Sequence, residues 1–305
     1  MNILIAGASG FIGKELVHAL QNNYHITVLG RDLKRLKHHF PQNVELTTWE
    51  NLSQLDATNI DLIINLCGYN IAASRWSEAV KKQIISSRVD TNLALTNWAI
   101  NQQAKPRFFS ANAVGIYGLQ ENGSIESFDE DSPIDLANPH DFLSEVGIRW
   151  QEALQPAFDY GMNVTTTRFG VVLKHGEGML KKLELSFKLG LGAVVGDGTQ
   201  ILPWVHIDDV VDAILFLIDR PELTGAFNIT SPYPVSQKEF SQDLAKTMHR
   251  PLLLKMPAFM IKLLFGEMGE CLLLKGQRVF PKRLLDAGFE FRYPKLMNAL
   301  QYEFS

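Results

Sequence analysis

Short apolar runs alternate with longer amphipathic stretches through the first two thirds of the chain. This is the pattern of βαβ units, in which helices connect neighbouring parallel strands. Strands are predicted at residues 3–6, 26–29, 44–47, 62–66, 108–111, 164–172 and 227–229. Helices are predicted to begin near Gly10, Asp32, Ser77, Phe142, Ile207 and Ser236. The alternation therefore predicts an α/β fold built on a doubly wound parallel sheet of the Rossmann type.

Two later regions depart from this alternation. Residues 118–140 contain several Asp, Glu, Ser, Asn and Pro residues and little apolar periodicity. They are predicted to form a long loop, and long loops in compact domains often cover a functional site. From Pro251 onward the chain changes to two apolar helical stretches, 258–274 and 296–304. This change predicts a smaller C-terminal lobe.

The chain is thus expected to have two parts. Residues 1–173 form the cofactor-binding Rossmann domain, and residues 205–230 return to it. Residues 174–305 form mainly the substrate lobe, including its C-terminal helices. The chain has 305 residues, of which 46% are apolar, so it can bury a large core and is neither disordered nor fibrous.

Charge and cysteine content narrow the functional class. The formal charge is −4 and there is no basic block, so we expect no nucleic-acid partner. Cys67 and Cys271 are too few for a disulfide framework, the eight histidines lack metal-ligand spacing, and we predict no metal. There is no export signal, and the stretch 258–274 is interrupted by charges. We therefore expect a cytoplasmic protein without a membrane partner.

The motif GASGFIG at residues 7–13 follows the first strand and opens the first helix. In a dinucleotide site the first glycine allows a tight turn, the second admits the pyrophosphate, and the third lets the helix pack closely. The helix N-terminus then binds the anion. An ordinary strand-to-helix turn is the alternative, and the position at the first strand favours the nucleotide. The residues assigned to the cofactor here are Gly7, Ser9, Gly10, Phe11, Ile12 and Gly13.

Two other phosphate or nucleophile motifs do not fit these residues. A Walker A loop needs four residues between its glycines and then Lys-Ser or Lys-Thr, whereas Lys14 is followed by Glu15. A GxSxG nucleophile elbow needs a glycine two positions after the serine, and Phe11 is there instead. Neither a P-loop nucleotidase nor a serine hydrolase is therefore expected.

The end of the second strand indicates which dinucleotide is bound. An acid at this position binds the ribose 2′-hydroxyl of NAD, whereas an arginine pairs with the 2′-phosphate of NADP. Arg31 occupies the position, eighteen residues after Gly13. We therefore predict NADP. The alternative is that Arg31 is a solvated surface charge and that Asp32, otherwise a helix N-cap, takes the ribose.

Several further motifs extend along nearly the whole chain. They are NLCGYNI at 65–71, SRV at 87–89, AVGIYG at 113–118, RFGVVL at 168–173, KLGLGAVVGDGTQILPWVHIDD at 188–209, FNITSPYPVSQKEF at 227–240 and GQRVFPKRLLDAGFEF at 276–291. Together with the glycine motif they resemble the extended short-chain dehydrogenase/reductase superfamily, and within it the atypical, NAD(P)-dependent epimerase-family branch with an added C-terminal domain.

The resemblance implies NADP binding and assigns further cofactor contacts. Leu66, Cys67 and Gly68 would pass backbone atoms along the cofactor, and Arg88 would face it from the next helix. The alternatives are that Cys67 is a small buried hydrophobe and that Arg88 is a cation on the helix surface.

The usual catalytic residues of that superfamily are absent. Its reductases and epimerases use a Tyr-x-x-x-Lys pair on the helix after the fifth strand, in which the lysine lowers the tyrosine pKa. No such pair occurs in this chain. Phe142 stands in the tyrosine place and Val146 in the lysine place, and Asn112 replaces the usual serine. An amide can hydrogen-bond a substrate oxygen, but it is neither an acid nor a base.

The residues predicted for the catalytic site are Asn112, Tyr117 and His206. Lys81 and Glu145 are further titratable groups that could approach the nicotinamide, and Trp204 with Gln200 could form a pocket wall. The alternative for Tyr117 is a structural role, and the alternative for His206 is to cap the next helix.

Two functions follow from these residues. The leading one is an NADP-dependent oxidoreductase or epimerase acting on an unidentified small carbonyl or sugar-like substrate. The alternative is a non-catalytic NADP(H)-sensing or interaction module. A pocket over the nicotinamide would favour the enzyme, and a nicotinamide face blocked by side chains would favour the sensor.

Overall fold

The computed structural model describes every residue from Met1 to Ser305 and contains thirteen strands. They are β1 (Asn2–Ala6), β2 (His25–Gly30), β3 (Glu45–Thr48), β4 (Leu62–Asn65), β5 (Arg107–Ala113), β6 (Val164–Phe169), β7 (Val171–Leu173), β8 (Ala193–Val195), β9 (Ile201–Leu202), β10 (Trp204–His206), β11 (Gly225–Ile229), β12 (Val235–Ser236) and β13 (Leu254–Met256). Seven of them form one parallel sheet in the order β11-β6-β5-β4-β1-β2-β3. The predicted doubly wound Rossmann fold is confirmed.

Helices cover both faces of this sheet and build the second lobe. They are α1 (Phe11–Leu20), α2 (Leu33–His39), α3 (Glu78–Asn101), α4 (Phe142–Glu152), α5 (Gln155–Asp159), α6 (Gly178–Lys188), α7 (Ile207–Ile218), α8 (Gln237–Thr247), α9 (Ala258–Gly269), α10 (Lys282–Asp286) and α11 (Leu296–Glu303). Short 3₁₀ turns lie at Trp49–Gln54, Ala57–Asn59 and Val114–Tyr117, and a π-helical turn lies at Glu270–Leu274. None of the helices combines the length and the apolar character needed to cross a bilayer.

Every strand and helix start predicted for the Rossmann domain is present within two residues of its predicted place. The run 164–172 is divided, because the backbone of Gly170 passes so close to Pro203 that a Cβ would lie 2.4 Å from its carbonyl oxygen. Beyond that point β7 leaves the main sheet and pairs with β10. The stretch 258–274 is likewise broken, where the backbone leaves helical geometry at Gly266.

The sheet carries a hydrophobic core on each face. Ile5 of β1 packs into the larger core, together with Leu217 of α7. Leu4, on the opposite face of the same strand, packs into a second core with Trp98 of α3. Because both faces are covered, the strands appear in the sequence as continuous apolar runs instead of alternating ones.

A third core belongs to the C-terminal lobe, and it includes Phe187, Trp204 and Leu300. The segment around α10, which precedes α11, packs outside that lobe. Leu284 of α10 is fully buried in the larger core of the Rossmann sheet. The Arg283 guanidinium next to it donates hydrogen bonds to two carbonyl groups in and beside β11, at 2.7 Å each. The two lobes are thus joined by buried apolar surface as well as by the chain itself.

Candidate active site

The glycine-rich loop lies at the carboxyl end of β1, beside the point where the strand order reverses between β1 and β4. Ligands of open parallel sheets bind at such a switch point. A Cβ at Gly7 would lie 2.7 Å from the carbonyl carbon of Leu66, and one at Gly13 would lie 2.5 Å from the Cα of Ala8. Gly10 is exposed and N-caps α1, and no side chain satisfies the free N–H groups there. The loop therefore forms a cradle open to an anion.

Three other residues assigned to the cofactor belong to the same loop and helix. Ser9 is partly exposed beside Gly10. Phe11 and Ile12 are half-buried and pack against the larger core. The Phe11 ring also reaches the start of α6, because a Cβ at Gly178 would lie 3.5 Å from it. The cradle is thus in contact with the substrate lobe.

At the end of β2, Arg31 and Asp32 have different surroundings. Asp32 caps α2, and its Oδ1 accepts the backbone N–H groups of Lys34 at 2.8 Å and Arg35 at 3.3 Å. Arg31 is exposed and takes part in no ion pair or side-chain hydrogen bond. Of the two side chains considered for the ribose, the guanidinium has no partner, whereas one carboxylate oxygen of Asp32 is held by the helix cap.

Cys67 lies at the carboxyl end of β4, where its backbone N–H donates to Oδ1 of Asn65 at 3.1 Å. Burial raises the pKa of the Cys67 thiol to about 12, although the positive charge of Arg31 acts in the opposite direction. The thiol therefore stays protonated near neutral pH and behaves as a small hydrophobe. In the sheet, the ends of β4 and β2 flank the end of β1, where the glycine-rich loop lies.

Arg88 of α3 lies directly behind the exposed backbone of Gly68. A Cβ at Gly68 would lie 3.0 Å from the Arg88 Cζ. The guanidinium donates to the carbonyls of Tyr69 at 3.1 Å and Ile84 at 2.8 Å, and it lies 4.8 Å from the centre of the Trp150 ring. Its Nε is buried without a partner, no carboxylate pairs with it, and burial lowers its pKa to about 10. A buried cation without a counter-ion beside the crevice suits an anionic ligand.

Asn112 joins β5 to α4. Its amide nitrogen donates to the carbonyl of Gly147 at 3.0 Å, and its Oδ1 accepts the N–H of Ala113 at 2.7 Å. The side chain is buried. Ala113, the next residue, is exposed at the carboxyl edge of the sheet. The Asn112 side chain therefore fixes the end of β5 against α4 and does not project into the crevice.

Tyr117 is also held inside the protein. Its hydroxyl donates to Oδ1 of Asn228 at 2.9 Å and accepts from Arg168 at 2.7 Å. Its ring stacks on Phe128 with the ring centres 5.2 Å apart. Burial raises the pKa of Tyr117, and Arg168 partly offsets this effect. The geometry favours the structural alternative for this residue.

His206 is fully buried at the N-terminus of α7. Its Nδ1 accepts the backbone N–H of Asp208 at 3.1 Å, and its Nε2 is 2.7 Å from Oε1 of Glu303 in α11. The Tyr293 ring covers it with the ring centres 4.2 Å apart. Both ring nitrogens are therefore engaged, and the geometry favours the capping role over an acid–base role.

The place of the missing tyrosine and lysine is filled by an apolar cluster. Phe142 and Val146 of α4 are buried with Ile84 of α3. The Trp76 ring meets Phe142 edge to face, with the ring centres 4.7 Å apart. No oxygen or nitrogen of α4 takes the place of the phenol here.

A charged pair lies beside this cluster and joins the two lobes. The Lys81 ammonium of α3 lies 5.0 Å from the centre of the Phe142 ring and 2.7 Å from a carboxylate oxygen of Glu267 in α9. Glu145 contributes negative charge nearby. The hydrogen bond to Glu267 raises the pKa of Lys81, although burial opposes it. Lys81 is predicted from the sequence to approach the nicotinamide. Its partner Glu267 is not predicted, because no local motif connects residues 186 positions apart.

Comparisons with known proteins agree with this geometry. Residues 3–230 match the NAD dependent epimerase/dehydratase family, and residues 256–303 match a domain of unknown function, DUF1731. An epimerase family protein of Mycobacterium bovis is 35% identical over 304 residues, covering 98% of this chain and 96% of that protein. The Bacillus subtilis epimerase family protein YfhF is 33% identical over 303 residues, covering 98% of this chain and 97% of that protein. The chain belongs to the NAD-dependent epimerase/dehydratase family.

Two solved structures are similar to this chain. The human epimerase family protein SDR39U1, crystallised with NADPH, superposes with a TM-score of 0.87 at 28% identity, covering 100% of this chain and 99% of that chain. The UDP-glucose 4-epimerase of Thermus thermophilus, in complex with NAD, superposes with a TM-score of 0.77 at 16% identity, covering 100% and 98% of the two chains. The second likeness concerns the fold alone. The resemblance predicted from the motifs is confirmed.

In this epimerase-family chain, a cavity of about 200 Å³ lies between the predicted long loop and the π-helical turn. It is lined by Leu119, Glu121, His140, Asp141, Glu270, Cys271 and Lys275. Burial and nearby carboxylates raise the pKa of the Cys271 thiol to about 11, so it is not a nucleophile near neutral pH.

Trp204 and Gln200, expected at a pocket wall, are not among the residues that line this cavity. Trp204 lies fully buried in the core of the C-terminal lobe. Gln200 is buried too, and its amide nitrogen donates to the carbonyls of Val195 at 3.1 Å and Leu273 at 2.7 Å. Both residues stabilise the C-terminal lobe.

Proposed function

We propose that this epimerase-family protein binds NADP(H) across the switch point and acts as an oxidoreductase on a small carbonyl or sugar-like substrate. One observation carries the proposal: a glycine cradle for a diphosphate lies beside an unpaired Arg31, while Asp32 is engaged as a helix cap. The human relative crystallised with NADPH supports the same cofactor.

Three groups of this chain would hold the cofactor. The free N–H groups at the start of α1 bind the diphosphate, because the helix dipole and the unpaired donors both favour an anion. Arg31 pairs with the ribose 2′-phosphate through charge-assisted hydrogen bonds. Arg88 places a buried positive charge behind Gly68 and stabilises negative charge in the crevice. When bound, NADPH supplies a hydride at its nicotinamide ring.

Lys81 is the proton donor in this proposal. If hydride from bound NADPH were added to a carbonyl carbon, NADP⁺ would remain and the Lys81 ammonium would donate a proton to the resulting oxygen. Solvent then returns a proton to Lys81, whose side chain is 22% exposed. Glu267 keeps the ammonium charged and fixes it above Phe142. The apolar cluster around Phe142 excludes water from one side of the reacting carbonyl.

The cofactor is tested by titrating the purified protein with NADPH and with NADH in a calorimeter. Because an arginine and not an acid meets the ribose, we expect NADPH to bind at least about 10-fold more tightly. Equal or tighter binding of NADH would contradict the cofactor assignment. A panel of aldehydes, ketones and keto-sugars, followed at the NADPH absorbance, then tests the reaction.

A second candidate function is a non-catalytic NADP(H) sensor. It is favoured by the filled tyrosine place, where Phe142, Val146 and Trp76 pack against one another. A sensor would bind NADPH as expected but oxidise it with no member of the carbonyl panel. Hydride transfer to any of these compounds favours the enzyme.

A further inference from the structure

One exposed apolar surface remains outside the proposed cofactor site. It is formed by the end of α6, the segment leading into β13, and the first turns of α9. Leu253 is 83% exposed, Leu263 is 72% exposed and Phe259 is 69% exposed. Its most exposed members are Leu185, Leu189, Leu191, Leu253, Phe259 and Leu263. We call this surface the α6–α9 face.

The parts of the α6–α9 face are neighbours in space. Strand β13 pairs in parallel with β8, which places Leu254 opposite Ala193, two residues after Leu191. Arg250 donates to the carbonyl of Lys188 at 3.1 Å, which fixes the end of α6 beside the start of β13. Helix α9 continues directly from β13. The end of α6 and β13 are therefore adjacent, and the exposed leucine and phenylalanine side chains of these segments and α9 make up an apolar surface of the kind that often marks an interaction site.

Most charges of the α6–α9 face are positive, although Lys188 pairs with Glu184 and Lys262 pairs with Glu270. Residues 181–192 and 250–265, which form it, contain six lysine and arginine residues and one glutamate, although the whole chain has a net charge of −4. Lys181 and Lys255 have no ion-pair partner. Lysines beside exposed leucine and phenylalanine side chains are typical of helices that lie in the interface of a lipid bilayer.

From this combination we infer that the α6–α9 face binds the surface of an anionic lipid bilayer. The apolar side chains enter the boundary between headgroups and acyl chains, and the lysines meet lipid phosphates. A second copy of the chain fits less well, since its own positive rim would face this one. The sequence led us to expect no membrane partner. The structure contains no helix that could span a bilayer, but a protein can bind the surface of a bilayer without such a helix.

Vesicle flotation of the full-length protein without cofactor tests this inference. One set of vesicles is phosphatidylcholine alone, and the other contains about 30% phosphatidylglycerol. We expect the bound fraction to be larger on the anionic vesicles and to fall as salt is raised, because the lysines contribute electrostatically. The variant Phe259→Ser/Leu263→Glu should reduce partitioning by about 10-fold or more. Lys181→Glu/Lys255→Glu should remove the preference for anionic lipid.

Ile125→Glu is the matched control, because Ile125 is 90% exposed but lies in the 118–140 loop, away from the α6–α9 face. It should leave flotation unchanged. Absence of flotation with anionic vesicles would overturn the inference. So would a lipid-free dimer, detected by light scattering, that the Phe259→Ser/Leu263→Glu variant dissociates. The assay contains no NADP(H), so its result is independent of the proposed cofactor site.

Discussion

In the proposed function, single residues at the end of β2 determine the preference for NADP. Arg31 and Asp32 are adjacent, and either could meet a ribose. The hydrogen bonds of Asp32 to the first turn of α2 engage its Oδ1, whereas the Arg31 guanidinium has no partner. We therefore propose that the preference for NADP depends on a local competition of Asp32 between capping a helix and binding a ligand.

We predict that Arg31→Ala weakens NADPH binding by about 10- to 100-fold, because charge-assisted hydrogen bonds to the 2′-phosphate are lost. NADH lacks that phosphate, so its affinity should change little. Isothermal titration with both cofactors measures the difference. Arg149→Ala, which removes an exposed arginine on α4, serves as the control. A parallel loss of NADH affinity would show that Arg31 acts on the fold instead.

Lys81→Met tests the proton donor at the same scale. We expect kcat on an identified carbonyl substrate to fall by about 10²- to 10⁴-fold, with NADPH affinity unchanged. Lys82→Met, which changes the exposed neighbour, should retain wild-type kcat. Glu267→Gln keeps the ammonium but removes its counter-charge, so we expect a smaller loss. If Glu267→Gln and Lys81→Met lose the same activity, the pair serves to hold the lobes together.

At the scale of elements, a polar contact fixes the last helix against the substrate lobe. Glu303 of α11 meets the imidazole of His206 at 2.7 Å and accepts the backbone N–H of His175 at 2.5 Å. Burial acts to raise the pKa of Glu303, but the hydrogen bonds and nearby positive charge outweigh it, and the pKa is lowered. The contact thus joins β7, α7 and α11, although its residues lie far apart in sequence.

We predict that Glu303→Ala destabilises the protein by about 1–3 kcal/mol at pH 7, because the buried imidazole of His206 and the backbone N–H of His175 lose their partner. A carboxyl group with a lowered pKa stabilises the fold above its usual pKa and loses this contribution as pH falls through the lowered value. The difference between wild type and variant in urea denaturation should therefore shrink toward pH 3. Glu290→Ala, at an exposed position, is the control. A difference independent of pH would contradict the role of the carboxylate charge.

For the whole molecule, part of the C-terminal lobe packs into the core of the Rossmann sheet. Leu284 and Phe289 lie within the predicted C-terminal lobe in sequence, yet they are buried with Ile5 of the first strand. The core of the Rossmann sheet therefore includes residues on both sides of the predicted boundary at residue 173. The C-terminal segment covers the sheet beside β11 and also carries the upper side of the crevice.

We predict that Leu284→Ala lowers the free energy of unfolding by about 2–5 kcal/mol, because it leaves a cavity in the Rossmann core. The loss should appear in a single transition, seen together by tryptophan fluorescence and by circular dichroism. Leu185→Ala, at an exposed position, should change stability by less than about 0.5 kcal/mol. Two separate transitions would show that the lobes unfold independently.

The sequence by itself determined the parallel sheet, the cofactor loop and the family. These features depend on local signals, because strand and helix periods and glycine spacing act over a few residues. The short strands β8, β9, β12 and β13, by contrast, contain too few residues for a period to show. They form because partners distant in the chain are brought beside them.

Only the tertiary structure decided which polar side chains are available for chemistry. Tyr117, His206 and Asn112 are credible acids or ligands in the sequence, but each is engaged by groups that fold against it. Lys81 gained its importance from Glu267 in the other lobe. The physical reason is the same in each case: the state of a hydrogen-bonding or charged group is set by burial and by its nearest partners, and folding chooses those partners from any distance along the chain.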